Sequence, residues 1–260
     1  MVERAQFIAT MYSFFKKLLI RLFPEKFLIR IEFILRFFYS LLYLGSAVRC
    51  TICGGKFTGF IPLASGDLLC PRCGSLPRQR RLWIILQPFI HPESRINILH
   101  FSPSRILQKK LRRKIPLYYT TSDYDRKSGT DKHFDITRIP EPDDRYGLII
   151  CFHVLEHIPD DRQAIRELYR VTKPEGRVFL QTPFKEGNMV EDKTITTAAD
   201  RLHHFGQEDH VRVYSVEGLA GRLEEAGFSV QAERYSADPV LGLKEETVLI
   251  CSKTKVQIFS

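Results

Sequence analysis

The stretch "YGLIICFHVLEHIPDDRQAIRELYRVTKPEGRVFLQTPF", residues 146–184, decides the fold. An apolar run over residues 146–152 predicts a buried strand, and apolar residues at helical spacing over 161–171 predict an amphipathic helix. A Lys-Pro-x-Gly turn then leads into a second strand over residues 176–182. This order of strand, helix and strand predicts two parallel strands of one sheet, with His153 directly after the first of them.

The same alternation extends to both sides of this stretch. Apolar runs predict further strands over residues 96–102, 117–124, 229–235 and 246–253, and further helices over 104–114 and 215–228. We therefore expect an α/β fold over residues 95–260, with a Rossmann-like, doubly wound and mostly parallel sheet. Because the last two strands are joined without a helix, we expect them to pair antiparallel.

Residues 95–253 resemble the class I S-adenosylmethionine-dependent methyltransferases of the type 11-like group, most specifically over residues 146–184. The segment "GLAGRLEEAGFSV", residues 218–230, is similar to the helix and Gly-Phe turn that precede the sixth strand of that family. The resemblance implies a methyltransferase that uses S-adenosylmethionine (AdoMet) as its cofactor.

The expected cofactor site lies beyond the carboxyl ends of the strands, where open α/β sheets bind their ligands. Asp123 ends the second strand, where a carboxylate can accept hydrogen bonds from both hydroxyl groups of a ribose. The resemblance makes Asp123 the ribose acid and places Asp135 and Ile136 at the adenine. It also places His153 near the methyl group.

The loop after the first strand departs from the family pattern. That loop is normally rich in glycine, but this chain reads "ILHFSPSR" over residues 98–105, with no glycine. By resemblance, Phe101, Ser102 and Pro103 contact the cofactor, and Ser102 or Ser104 can cap the following helix. This departure leaves an alternative open, namely a catalytically inactive methyltransferase-like domain that recruits a partner or a nucleic acid.

Histidines are concentrated in "DRLHHFGQEDHVRVYS", residues 200–215, an insertion of the kind that lines the acceptor pocket in this family. An imidazole can remove a proton from a hydroxyl or amine acceptor during methyl transfer. The candidate catalytic residues are therefore His153, His204 and His210. Metal binding by the histidines of the insertion and a structural hydrogen-bonding loop are the alternatives.

The string H-x-x-E-H at His153, Glu156 and His157 also spells an inverted zinc-peptidase site. That chemistry requires both histidines on one continuous helix. Here His153 follows a strand directly and Pro159 comes two residues after His157. The sequence therefore favours a strand-to-helix corner in which Glu156 and His157 orient the loop.

Four of the six cysteines form a C-x2-C-x16-C-x2-C pattern within residues 50–74. Four thiolates complete a closed tetrahedral shell, so this spacing predicts a structural zinc ribbon over residues 50–86. A redox disulfide is the alternative. The pattern favours a reduced, cytoplasmic setting. The predicted ligands are Cys50, Cys53, Cys70 and Cys73.

Residues 1–49 predict two helices, a basic amphipathic one over 11–22 and a more apolar one over 25–44. No charge-free run approaches the roughly 20 residues that span a bilayer. We expect residues 7–44 to lie on an anionic membrane surface at its cytoplasmic face. The alternative is a helical cap packed on the core of the protein.

The net charge of +9 belongs to residues 1–95, because basic and acidic residues balance in 96–260. Such asymmetry indicates an anionic partner, either lipid headgroups or nucleic acid. Arg78, Arg80 and Arg81 are the residues that could contact phosphate, although a solvated helix face or a salt bridge to the next domain is the more common role of such arginines. With a membrane-facing front end, a saccharide or lipid-linked glycan is the preferred methyl acceptor among small molecules.

Overall fold

The structure is a computed structural model that describes residues 25–91, 93 and 95–254, with side chains from residue 32 onward. The predicted helix over residues 11–22 lies outside these residues. The chain divides into two compact units. Residues Ser236–Glu245, which the sequence places in the C-terminal domain, group with the first unit rather than with the second.

The first unit has short antiparallel pairs of strands between two helices. Strand β1 pairs with β2, and β3 pairs with β4. The predicted second helix ends at Leu41 rather than near residue 44, because the chain continues into β1 and its main chain pairs with β2. The elements are α1 (Glu25–Leu41), β1 (Leu44–Arg49), β2 (Lys56–Phe57), β3 (Ile61–Pro62), β4 (Leu68–Leu69) and α2 (Pro77–Leu86).

The second unit is built on a sheet to which the described residues contribute six strands. These are β5 (Ile98–Phe101), β6 (Tyr119–Ser122), β7 (Tyr146–Phe152), β8 (Thr172–Gln181), β11 (Ser229–Tyr235) and β12 (Glu246–Ser252). A separate short pair is formed by β9 (Val190–Glu191) and β10 (Arg212–Val213). The helices are α3 (Arg105–Lys114), α4 (Asp161–Val171), α5 (Ala198–Phe205) and α6 (Val216–Glu225).

The strand order in the main sheet is β11-β12-β8-β7-β5-β6. Strands β5, β6, β7 and β8 are parallel, whereas β12 runs antiparallel to both β8 and β11. This arrangement confirms the predicted doubly wound, mostly parallel sheet and its antiparallel final pair. The register pairs Phe101 with Ser122 and with Cys151, and Cys151 with Leu180. The carboxyl ends of four strands therefore meet along one edge.

Helix α4 shows how the sequence forms a helix that packs against the main sheet. Its N-cap residue Asp160 accepts a hydrogen bond from the main chain of Gln163, which satisfies a free amide of the first turn. The apolar side of the helix is buried in the core against the sheet, and each fully buried leucine or isoleucine contributes roughly 1.5–3 kcal/mol. The buried residues of α4 include Ala164, Ile165, Leu168 and Val171.

Within the described ranges, no helix has both the length and the apolar content that crossing a bilayer requires.

Candidate functional site

Unsatisfied polar atoms gather at the carboxyl edge of the parallel strands. Ser104 Oγ follows β5, His153 Nε2 follows β7, and Gln181 Oε1 and Thr182 Oγ1 lie at the end of β8. All four atoms are buried and have no hydrogen-bond partner among the described residues. Because buried polar atoms are normally hydrogen-bonded, this edge has the chemistry of a site that a polar ligand completes.

The glycine-free loop after β5 still makes the tight turn that glycine usually provides. Ser102 adopts a left-handed conformation with φ of 46°, and its amide donates to the Ser122 carbonyl at 2.8 Å. Ser104 occupies the N-cap position of α3, as predicted, but its side chain makes no capping hydrogen bond. The loop therefore keeps the Ser104 hydroxyl uncommitted within the described part of the chain.

The acids predicted to bind the cofactor lie on two turns near this edge. Asp123 is half-buried directly after β6, and its Oδ1 accepts from the Asp125 amide at 2.9 Å. Asp135 is exposed, and its carboxylate caps the turn at Thr137. Ile136 is only 4% exposed and packs in the apolar core of the unit. Contact of these three residues with AdoMet stays a prediction.

His153 lies outside any helix. It has a φ of 55°, and its amide donates to the Gln181 carbonyl at 2.8 Å. A short 3-10 helix, Leu155–His157, begins only after it. The two histidines of H-x-x-E-H thus do not share a continuous helix, which agrees with the strand-to-helix corner inferred from the sequence.

The loop after β7 nevertheless forms a compact cluster with the insertion. Ligand atoms of Glu156, His157 and His210 all lie within 4.8 Å of one another, and we call these three residues the Glu–His cluster. The His157 and His210 rings meet edge to face, with centroids 4.7 Å apart. Glu156 is 1% exposed and His210 is 4% exposed, so the cluster is largely closed to solvent.

The carboxylate of Glu156 is poorly satisfied for so buried a group. Neither oxygen has a hydrogen-bond partner among the described residues, although Nδ1 of His153 lies 3.3 Å from Oε1. Burial raises the pKa of Glu156, but the neighbouring His153 and His157 outweigh it, so the pKa lies below its usual value. Burial lowers the pKa of His210. The cluster therefore combines an ionised carboxylate with a neutral imidazole.

Arg212 joins the insertion to the loop after β7. Its buried guanidinium donates to the carbonyls of Leu155, Ile158 and Pro159. It also forms an ion pair with Glu191 at 2.6 Å. The Val211 amide adds a main-chain bond to the Glu156 carbonyl at 2.9 Å. These bonds bring His210 against His157.

The other histidines of the insertion lie elsewhere. His203 and His204 are exposed on α5, and the centroids of their rings are 4.9 Å apart. Of the three described histidines in the insertion, His210 is therefore the one that joins the cluster. The sequence predicts only that Glu156 orients the loop, whereas the structure places it inside the cluster. The feature of the sequence that could have indicated a larger role is an acid flanked by apolar and histidine residues in a loop that follows a buried strand.

The four predicted zinc ligands also come together. The Sγ atoms of Cys50 and Cys73 are 3.7 Å apart, and those of Cys53 and Cys70 are 3.8 Å apart. A tetrahedral zinc ion with Zn–S bonds of about 2.3 Å has sulfur atoms about 3.8 Å apart. The donor set and its spacing thus fit a zinc ion.

The two halves of the cysteine cluster have the same turn. Gly54 and Gly74 have φ of 72° and 71°, which side chains rarely adopt. Each donates its amide, at 2.9 Å, to the carbonyl of the first cysteine in its pair. Both glycines therefore shape the loops that turn the thiols inward.

Two of the arginines proposed to contact phosphate are committed to the protein itself. Arg80 is fully buried and donates to the carbonyls of Ser75 and Leu241. Arg81 is also buried and donates to the carbonyl of Ser236. The interpretation of Arg80 and Arg81 as phosphate contacts is therefore wrong, because their guanidinium groups are hydrogen-bonded to main-chain carbonyls within the first unit.

The sequence of this chain is similar to those of known methyltransferases. Residues 86–233, more than half of the chain, match the sequence model of a methyltransferase domain. The chain belongs to this methyltransferase domain family.

Individual relatives are similar over parts of the chain. An uncharacterised methyltransferase, YcgJ of Bacillus subtilis, is 32% identical over 78 residues, which cover 30% of this chain and 29% of YcgJ. A probable S-adenosylmethionine-dependent methyltransferase of Mycolicibacterium smegmatis is 31% identical over 101 residues, covering 38% and 35%. The matched segments thus span about a third of these relatives. The solved structure of a SAM-dependent methyltransferase from Archaeoglobus fulgidus is similar with a TM-score of 0.49 and 14% identity, covering 68% of this chain and 93% of that one.

Proposed function

We propose that the protein transfers a methyl group from AdoMet to a hydroxyl of a small molecule or glycan. The observation that carries this proposal is the row of buried, unpartnered polar atoms at the carboxyl edge of a methyltransferase-family sheet. AdoMet supplies an electrophilic methyl group on a sulfonium. The residues of the chain bind that cofactor, orient the acceptor and remove the acceptor proton.

The binding roles follow from position along the edge. The carboxylate of Asp123 would accept the ribose hydroxyls, while the turn at Phe101, Ser102 and Pro103 would lie against the cofactor. His153 would lie nearest the methyl group, because it follows the central strand β7. Asp135 and Ile136 would flank the adenine.

The base is one of three histidines in this proposal. His153 and His210 both belong to the region around Glu156, whereas His204 lies apart on α5. An imidazole at this place accepts the hydroxyl proton as the methyl group moves. We favour His153 and His210 as the base. His153 is half-buried and His210 is buried, and exclusion of water strengthens the electrostatic interaction between such a base and a bound acceptor.

The proposed function is tested by isothermal titration of the full chain with AdoMet, with Asp123→Ala and Asp125→Ala as matched variants. We expect the wild type to bind and Asp123→Ala to bind roughly 10- to 100-fold more weakly, because a hydrogen bond to a charged group contributes about 1.5–3 kcal/mol. Asp125→Ala retains the main-chain amide that holds Asp123 and should bind normally.

An absence of heat with the wild type, together with no thermal protection by millimolar AdoMet, would favour the alternative of an inactive binding module. Equal loss in both variants would remove Asp123 from its proposed role.

We also propose where the protein works and what it methylates. Helix α1 exposes several large apolar side chains, and the basic excess of residues 1–95 suits anionic lipid. These features support a peripheral position on the cytoplasmic face of a membrane through residues 7–44. An acceptor held at that surface, such as a saccharide or lipid-linked glycan, is the class that fits best.

Finally, we propose that Cys50, Cys53, Cys70 and Cys73 hold a structural zinc ion. The sulfur spacing supports this assignment, and four thiolates leave no position for a substrate. The ion would stabilise the first unit without taking part in methyl transfer.

A further inference from the structure

We propose that the Glu–His cluster is a second metal site, which binds one divalent transition-metal ion such as Zn²⁺ and uses it to activate a hydroxyl acceptor. Metal binding stands on the geometry of the cluster alone. Only the role in activating an acceptor rests on the proposed methyltransferase function.

The donor set has the composition of an open site. Two imidazoles and one carboxylate are a common protein ligand set for catalytic zinc, and they leave the fourth position to water or substrate. The donor atoms of Glu156, His157 and His210 lie within 4.8 Å of one another. Ligands of a tetrahedral ion with bonds of about 2.0–2.1 Å lie roughly 3.4 Å apart. Small side-chain rotations therefore close the site around an ion.

His157 already has the outer partner that a ligating histidine requires, and His210 is packed against it. Nδ1 of His157 lies 3.2 Å from the Asp209 carboxylate and 3.3 Å from the Asp209 carbonyl. The ring of His210 packs edge to face on that of His157, with centroids 4.7 Å apart, and this contact fixes its orientation. Hydrogen bonds like those of His157 fix the tautomer and the orientation of a ligating imidazole and leave its second nitrogen for the metal.

Glu156 supplies a second, independent observation. It is 1% exposed, and both of its oxygens lack a hydrogen-bond partner among the described residues. Its near neighbour is Nδ1 of His153, 3.3 Å from Oε1, which leaves the second oxygen without a partner in the described part of the chain, and buried carboxylates are normally fully paired or bound to a metal. A cation held between Glu156 and the two histidines satisfies this carboxylate.

The site differs from the cysteine cluster in both chemistry and access. Soft thiolates close the shell of a structural ion, whereas imidazole and carboxylate ligands leave an exchangeable position. The side chain of His157 is 31% exposed, so the cluster is reached from that side. Its loop directly follows β7, at the edge where a ligand of this sheet binds.

An ion at this place would lower the pKa of a hydroxyl group bound to it, as zinc does for water. The acceptor oxygen then forms a bond to the methyl carbon while the bond between methyl and sulfur breaks. The hydroxyl proton leaves to solvent or to His153, because His210 cannot act as the base while it ligates the ion. The products are the methylated oxygen and S-adenosylhomocysteine, with no oxidation or reduction.

The test counts zinc ions bound by the full chain. Protein treated with EDTA is titrated with ZnCl₂, separated from free ions and analysed by mass spectrometry for zinc. We expect the wild type to bind one ion more than His157→Asn and Glu156→Gln. His204→Asn is the matched control, because His204 lies in the same insertion outside the cluster, and it should bind as the wild type does.

A graded variant avoids the risk of unfolding. Asp209 is 70% exposed at its side chain, so Asp209→Ala should fold; it removes the carboxylate beside His157 but keeps the carbonyl, and should weaken binding of the second ion by up to roughly 10-fold. Substitution with Co²⁺ gives a spectroscopic readout, since the second ion should add no thiolate-to-cobalt charge transfer.

The proposal is overturned if the wild type binds no more zinc than His157→Asn, or if every bound cobalt shows thiolate charge transfer. AdoMet titration of the same samples separates the two proposals. Zinc uptake at the cluster without AdoMet binding would retain the metal site and remove the methyltransferase function. AdoMet binding without a second ion would do the opposite.

Discussion

At the scale of single residues, the position of the Glu–His cluster depends on one buried arginine. Arg212 is 2% exposed, and its guanidinium holds the carbonyls of the loop after β7 together with the carboxylates of Glu191 and Asp161. Arg222 pairs with the same two acids. Removing one partner from such a network leaves buried charge uncompensated, which costs much more than the loss of a surface pair.

We expect Arg212→Met to lower the free energy of unfolding of the second unit by about 3–5 kcal/mol. Arg162→Met is the matched control, because the Arg162 and Glu225 side chains are 50% and 57% exposed and surface pairs contribute about 0–1 kcal/mol. Urea denaturation of both variants measures the difference. Equal effects would show that the buried network does not hold the insertion in place.

At the scale of elements, helix α1 presents an apolar surface that its own charges do not cover. Arg36 is paired with Glu32 at 2.9 Å, while large side chains beside them stay open to solvent. A helix with this composition fits the boundary between headgroups and acyl chains better than the interior of a bilayer. The exposed apolar residues of α1 include Phe33, Ile34, Leu35, Phe37, Phe38 and Leu41.

This surface predicts binding of the full chain to anionic vesicles. We expect Phe37→Ser with Phe38→Ser to reduce binding in a flotation assay roughly 100-fold or more, because two aromatic side chains that would enter the lipid are lost and each contributes about 1.5–3 kcal/mol when fully buried. Leu117→Ser is the control, since Leu117 is 85% exposed in the second unit. The membrane proposal fails if the wild type does not float, or if the control variant loses as much binding as the α1 variant.

At the scale of the whole molecule, the two compact units rely on different sources of stability. The second unit has a continuous apolar core beneath its sheet. The first unit has very short strands around four cysteines, and small domains of this kind usually need a metal or another cross-link. Loss of the zinc ion that we propose for this cluster should therefore unfold the first unit while leaving the core of the second intact.

We expect Cys70→Ser to lose the structural zinc and the hydrogen-exchange protection of residues 50–86. Peptides from residues 146–181 should stay protected, because their core does not include the cysteine cluster. The control is Cys151→Ser, which changes a buried cysteine of the second unit and should not change binding of the structural zinc. Full protection of residues 50–86 in Cys70→Ser would contradict a structural role for the ion.

The sequence by itself determined the sheet and the cysteine cluster. The strand over residues 146–152 and the helix over 161–171 occur with the predicted bounds, because apolar periodicity is a local signal that burial enforces. The cysteine pairs are equally local, since each turn needs only two thiols and a glycine with positive φ. Helix ends were harder to predict, as at α1, where pairing of β1 with β2 replaces the last predicted turn.

Only the tertiary structure decided which histidines meet. His157 contacts Asp209 across 52 residues of sequence, and neither spacing nor periodicity relates the two segments. Composition does not distinguish His203 and His204 from His210, but both are exposed on α5 whereas His210 is buried. The buried bonds of Arg212 draw β10 onto the loop after β7, and this long-range packing assembles Glu156, His157 and His210 into one site.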